Sequence, residues 1–205
     1  MVSRFKAWSI AIGATDMVWK AIAVFLAACT LALPARADEA LWSLLKSGGQ
    51  VVLMRHAVTT PGAGDPEGMV LNDCSTQRNL TDEGRTHARR VGETVRARGI
   101  VVTQVLSSPW CRCLDTARLA FGANPEVSTA LSNLFGQSDP KGQQIERLRE
   151  LISRKPVSGN IVLVSHGSTI QAVTGVSPAT GEMIVITPHG AGKFTVAGRL
   201  EVPAR

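Results

Sequence analysis

At 205 residues the chain can build one domain with a substantial core and is too short for two comfortable ones. Of the formal net charge of +6, four of the 22 basic residues (Arg4, Lys6, Lys20, Arg36) and one of the 16 acidic residues (Asp16) lie before residue 38, leaving 18 against 15 and a net charge of +3. No run of Lys/Arg interleaved with aromatic residues occurs, which excludes a module that tracks a nucleic-acid backbone. Aromatic residues make up 4% and tyrosine is absent, so the core has to be aliphatic.

The N-terminus reads as an export signal. Lys20 precedes the apolar stretch from Ala21 to Leu33, and Ala35-Arg36-Ala37 supplies a small-x-small cleavage pattern before Asp38. This assigns residues 1–37 to a signal peptide, with Met17 as an alternative compact start, and residues 38–205 to the mature domain. The apolar stretch is too short to span a bilayer, so no membrane span is expected after its removal. Leu26-Ala27-Ala28-Cys29 resembles a lipoprotein box, but the apolar run continues past Cys29 to Leu33, which favours simple cleavage and a periplasmic or secreted product. Cys74, Cys111 and Cys113 then remain. Three is an odd number, so disulfides do not organise the fold, and one bridge from Cys74 to Cys111 or Cys113 is allowed in an oxidising compartment. No histidine stands at ligand spacing from these cysteines, so no metal site is expected.

In chain order, Ala40 to Lys46 reads as a short amphipathic helix stopped by Gly48-Gly49, followed by a strand over Val51 to Arg55. Residues 58–79 are rich in Gly, Pro, Asn and Asp without a period, and a loop of that length is usually functional. Thr81 is an N-cap for a helix reaching Arg98, with Asp82 and Glu83 suited to its first turn. A strand over Val101 to Ser107, a helix from Pro109 through Phe121 closed by Gly122, and a polar helix from Gly142 to Arg154 come next. The strand from Asn160 to Ser165 leads into a helix over Ser168 to Val173. Met183 to Thr187 and Phe194 to Leu200, separated by Pro188-His189-Gly190, read as a hairpin at one side of the sheet. Strands alternating with helices predict a three-layer α/β/α fold with a mostly parallel central sheet.

Three of these strands end in groups that seek phosphate. Val51-Val52-Leu53-Met54 delivers Arg55-His56-Ala57, Ile161 to Ser165 delivers His166, and Val101 to Ser107 leads through Ser108-Pro109-Trp110-Cys111 to Arg112. Open α/β sheets place their ligand sites at such strand ends. A single histidine there is more often a satisfied polar residue, but two with two arginines point to a phosphoryl pocket. His87 is expected on an exposed helix face, His189 in a hairpin turn, and Asp115 with Arg118 as a surface ion pair.

Four segments in order resemble the histidine phosphatase superfamily, which includes phosphoglycerate mutases and acid phosphatases. They are Leu53-Met54-Arg55-His56-Ala57, Leu80-Thr81-Asp82-Glu83-Gly84-Arg85, Ser107-Ser108-Pro109 with Arg112 and Thr116-Ala117, and Val164-Ser165-His166-Gly167. Ala57 replaces a usual glycine, which requires a negative φ, and His87 stands where glutamine is common. The span between Arg112 and His166 is short for the cap insertions of mutases and acid phosphatases. The resemblance is therefore to small capless members, and it implies a phosphoglycerate mutase-like fold with no cofactor.

The chemistry expected is a metal-independent phosphomonoesterase, acting on phosphate esters or phosphoramidates. A neutral nitrogen of His56 attacks phosphorus to give a phosphohistidine, splitting hydrolysis into two easier steps. Its other nitrogen is expected to be held as a donor to a backbone carbonyl. Arg55 and Arg112 match the equatorial oxygens, and His166, protonated beside the anion, is a third clamp. The general acid is unassigned by motif, because Gly167 occupies a position where some members carry aspartate. Glu182 is the favoured candidate, ahead of Asp65, Glu67, Asp73 and Asp139. The substrate is a small phosphorylated molecule or a phosphate on a bulky carrier, such as a protein or another envelope component. Rival readings are a phosphoryl-transferring mutase and a non-catalytic anion-binding module.

Overall fold

The computed structural model describes residues 33–122, 124–135 and 141–204. The expected signal segment lies outside them except for residues 33–37, and so do Cys29 and Asp139. The chain divides into a unit over residues 1–39, of which only the opening of helix α1 (Leu33–Ser47) is described, and a compact unit over residues 40–205. Helix α1 begins seven residues before the expected start at Ala40, and from Trp42 onward its apolar side, Trp42 and Leu45, is buried.

Six strands form one sheet: β1 (Val51–Arg55), β2 (Val102–Ser107), β3 (Glu126–Val127), β4 (Asn160–Ser165), β5 (Met183–Gly190) and β6 (Lys193–Leu200). Their order is β3-β2-β4-β1-β5-β6. The first four in that order run parallel, and β5 and β6 close the β1 side as an antiparallel hairpin. Helices α2 (Asp82–Ala97), α3 (Cys111–Phe121), α4 (Lys141–Ser153) and α5 (Gly167–Thr174) complete the domain.

The apolar runs of β1 and β4 are continuous because both faces of these central strands are covered. Alternate residues divide between two cores. Val52, Met54, Val162, Val164 and Val185 pack with Trp42, Val91 and Val95, whereas Val51, Leu53, Leu163, Ile184 and Ile186 pack with Leu148, Ile152 and Ile170. The period of two therefore puts α1 and α2 on one side and α4 and α5 on the other. This is the expected three-layer α/β/α arrangement with a mostly parallel sheet.

Several local expectations needed correction. Helix α3 starts at Cys111, because Trp110 is still extended (φ −68°, ψ 136°) and serves as its N-cap. The hairpin turn lies at Ala191-Gly192, two residues beyond the one read from Pro188-His189-Gly190. Register shifts in the pairing let Pro188 stay within the strand, opposite Phe194. Two residues of β3 are too few for any period to reveal. His87 is not exposed: it is 4% accessible on the inner face of α2, where its Nε2–H donates to the Val202 carbonyl at 2.7 Å.

Helices α2 and α3 touch backbone to backbone at Gly92. A Cβ built there would lie 1.7 Å from the Ala120 carbonyl oxygen, a distance no side chain tolerates. Gly92→Ala should therefore force the helices apart and cost about 2–3 kcal/mol. The effect would be read as a lower urea midpoint at unchanged slope, and an unchanged midpoint would contradict this packing.

Candidate active site

Parallel neighbours β2, β4 and β1 end side by side, so their C-terminal edges form one crevice. The residue after β1 is His56, the residue after β4 is His166, and Ser108 follows β2 into the turn before Arg112. A cavity of about 350 Å³ is lined there by Arg55, His56, Arg78, Arg112, His166 and Gly167, with the loop glycines 62 and 64 and Phe135 at its rim. The structure thus brings together Arg55, His56, Arg112 and His166. It adds Arg78, which the sequence analysis had not singled out.

His56 is 3% exposed, and its Nδ1 lies 2.8 Å from the Ala57 carbonyl oxygen. A carbonyl only accepts, so Nδ1 carries the proton and Nε2 keeps its lone pair. Ala57 has the negative φ its position requires. Its N–H donates to Thr116 Oγ1 at 3.1 Å, which ties the backbone next to His56 to α3. Burial, then the charges of Arg112, Arg55 and Arg78, push the His56 pKa down to about 3 despite the Ala57 hydrogen bond. The ring is a neutral imidazole throughout the physiological range.

His166 stands edge-on to His56, with ring centroids 5.4 Å apart. Its Nε2 is 2.8 Å from Ser108 Oγ, and Arg112 Nη2 lies 3.4 Å from Nδ1. Burial foremost, then His56 and the arginines, hold its pKa well below the usual value. In the free site a His166 cation would be desolvated beside three others, so the ring is held neutral there, whereas its expected protonation concerns the anion-bound site.

Arg112 is 1% exposed and held by Asp65, with Nη1–Oδ1 at 2.6 Å and Nη2–Oδ2 at 3.1 Å. Asp65 also accepts from Trp110 Nε1 and from the Arg78 backbone N–H, each at 3.1 Å. Burial alone would raise its pKa, but the hydrogen bonds and charge of Arg112 outweigh it and hold Asp65 low. Asp65 is therefore an ionised acceptor and cannot be the acid. Its role is to occupy the Nη1/Nη2 edge of Arg112, so the Nε edge is left for another partner. The Nε atoms of Arg55, Arg78 and Arg112 are all buried without a hydrogen-bond partner among the described residues. All three belong to arginines that line one cavity, a concentration of guanidinium groups suited to an oxyanion. Gly167 and Ser168 also line the cavity at the start of α5, adding the positive end of a helix dipole.

Arg55 runs over Gly167, where an added Cβ would come within 3.3 Å of its guanidinium carbon, and its Nη1 donates to the Pro178 carbonyl at 2.9 Å. A side chain at position 167 would have to displace the Arg55 guanidinium by a few tenths of an ångström. Arg78 Nη1 donates to the Gly62 carbonyl, so it also shapes the rim. Its sequence signal was faint: one cation at the end of an aperiodic loop, two residues before Leu80-Thr81.

Glu182 does not line the cavity. Its carboxylate is 2% exposed, pairs through both oxygens with Arg199, and accepts from the Ala179 N–H at 2.6 Å. Burial would raise its pKa, but Arg199 and the Ala179 N–H hold it down, so Glu182 has no proton to give. It instead pins the turn over residues 179–182, whose Gly181 N–H reaches the Arg55 and His56 carbonyls at 3.1 and 3.2 Å. Gly181 has φ +76°, and the His87 ring packs where its Cβ would be, 2.4 Å from Cε1. Asp73 caps a 3-10 turn through Ser75, and Glu67 is exposed on the loop. Among the described residues, no carboxylate lines the cavity.

Cys74 and Cys111 form a disulfide with Cα atoms 5.7 Å apart, settling the choice left open between Cys111 and Cys113. It ties the loop carrying Asp65 and Arg78 to the residue before Arg112. Cys113 is a buried free thiol, its pKa pushed up to about 12 by burial. Asp115 pairs with Arg85 and Arg118 near the surface, as expected.

Residues 51–136 match the family model described as the histidine phosphatase superfamily (branch 1). That match takes in β1, β2 and the segments carrying Arg55, His56 and Arg112, so this part of the chain is similar to histidine phosphatases. No curated protein matches it by sequence. Its fold is similar to that of the protein histidine phosphatase SixA, solved with tungstate (TM-score 0.55, 19% identity, 74% of this chain and 96% of that one). It is also similar to the Rv3214 protein of Mycobacterium tuberculosis (0.51, 20%, 72% and 94%) and to the phosphoserine phosphatase of Entamoeba histolytica bound to 3-phosphoglyceric acid (0.53, 14%, 76% and 98%).

Two buried histidines kept neutral carry a stability signature. Below pH 6.5 the unfolded chain binds protons that the folded one refuses, so stability should fall with pH by up to about 1.4 kcal/mol per unit per histidine. Denaturant midpoints at pH 7.5 and 5.0 measure this, and His56→Gln should shrink the difference. A midpoint independent of pH would contradict the neutral pair. Separately, Cys74→Ser should leave the domain folded but raise KM for a phosphate monoester severalfold, by loosening the loop that orients Arg112. An unchanged KM would show that the bridge does not support the site.

Proposed function

We propose that the protein is an exported, metal-independent phosphatase that works through a phosphohistidine on His56. The observation that carries this reading is the His56 tautomer: Nδ1–H is committed to Ala57, so the lone pair on Nε2 is free beside three arginines. In the first step Nε2 forms a bond to phosphorus as the bond to the leaving group breaks. In the second, water attacks phosphorus, the N–P bond breaks, and the electron pair returns to Nε2 as inorganic phosphate departs. Charge on the equatorial oxygens is met by pre-aimed guanidinium groups, which need no reorganisation.

That no carboxylate among the described residues lines the cavity bears on the substrate. Aryl and acyl phosphates, and phosphorylated imidazoles that already carry a proton on the distal ring nitrogen, release their leaving groups without a strong acid, so they suit this site better than alkyl phosphates. The fold alone does not choose between them, since its likenesses include both a protein histidine phosphatase and a phosphoserine phosphatase. Only β3, a 3-10 turn and α4 stand between α3 and β4 among the described residues, so the site suits a phosphate on a bulky carrier such as a protein or envelope component. Export is supported by the charge and apolar pattern of residues 20–37 and by a disulfide beside the site, which an oxidising compartment preserves.

Hydrolysis of an aryl phosphate should be unchanged by chelator, and labelled substrate should give an acid-labile phosphoenzyme that His56→Ala abolishes. Activity lost with chelator would overturn the metal-free mechanism. Tight phosphate binding without an adduct would favour an anion-binding module instead.

A further inference from the structure

Phe135 is 60% exposed, although it lines the cavity. Apart from the two histidines, it is the single aromatic ring among the described lining residues, the others being arginines, glycines, an alanine and small polar side chains. Scattered surface apolar residues need no explanation, but a bare ring at the edge of a cationic cavity does.

The ring is firmly mounted. Its backbone N–H donates to Asn133 Oδ1 at 3.1 Å, and Ser168 Oγ of α5 donates to the same oxygen at 2.9 Å. The carbonyl of Ser132 accepts from Gln144 of α4 at 2.7 Å and from Thr169 of α5 at 2.8 Å. On one side the ring meets the glycine loop: a Cβ at Gly64 would sit 3.4 Å from Phe135 Cε1. The backbone that carries the ring is therefore held in place, and the exposed ring has only two χ angles to restrict on contact.

Because arginines hold the phosphoryl group, whatever meets Phe135 is the group attached to phosphorus. We infer that Phe135 is a specificity-determining residue that favours phosphate carried on a planar ring, such as a phosphorylated imidazole or phenol, over phosphate on a sugar or alkyl hydroxyl. The inference rests on the phosphatase reading above. Ring-on-ring contact rewards a flat leaving group beyond simple burial.

Binding tests this independently of turnover. Phenylphosphonate and methylphosphonate carry the same anion, one with a ring and one without, and neither can be hydrolysed. Calorimetry on the wild-type protein should show phenylphosphonate binding about three- to tenfold tighter. Phe135→Ala should erase that preference while leaving methylphosphonate affinity unchanged, and Phe135→Trp should restore it. A wild type without preference, or a preference that survives in Phe135→Ala, overturns the inference. An intact preference in a protein that turns over no aryl phosphate supports the ring contact and sinks the phosphatase reading alone.

Discussion

Three guanidinium groups cannot share a cavity of about 350 Å³ without a carboxylate to hold at least one in place, and Asp65 holds Arg112. Buried at 1% exposure, Arg112 would be costly if unpaired, and breaking such a pair typically costs about 3–5 kcal/mol. The geometry of the pair matters as much as its charge. Asp65 takes the outer edge of the guanidinium and leaves Nε facing elsewhere, so the cation is neutralised on one side and available on the other. Trp110 and the Arg78 backbone fix Asp65 in turn, and the Cys74–Cys111 bridge closes the same loop onto α3.

Burial, reinforced by the remaining positive charge, sets the state of the histidines. Imidazoles in the open would be partly protonated near neutrality, but burial beside Arg55, Arg78 and Arg112 removes that option. A protonated His56 would have no lone pair to offer phosphorus, so in the proposed mechanism burial and the neighbouring cations together keep His56 competent. The fold serves this by alternation. The central strands β1 and β4 are buried almost throughout and β2 at its end, and the three bring Arg55-His56, Ser107-Ser108 and Ser165-His166 to one edge.

Much of this was legible in the residues. The apolar runs ending in His56 and His166 and the Thr81 N-cap are local signals, and the fold follows from them. What was missed depends on contacts distant in sequence. Arg78 joins the site only because its loop folds back, and nothing nearby marks it. Glu182 sits at the right strand edge, but Arg199, on the neighbouring β6, takes its carboxylate away from the cavity. His87 falls on the inward side of α2 because the C-terminal segment offers the Val202 carbonyl, a partner 115 residues away. The hairpin turn was misplaced because Pro188 and Gly190 are turn residues by habit, and a bulged edge strand accommodates both.

The most direct test of the central claim is a crystal structure with tungstate bound. It should place one oxyanion within hydrogen-bond distance of the Nε atoms of Arg55, Arg78 and Arg112, with the metal of the oxyanion facing Nε2 of His56. An anion held elsewhere, or a His56 ring turned so that Nδ1 faces it, would contradict the account.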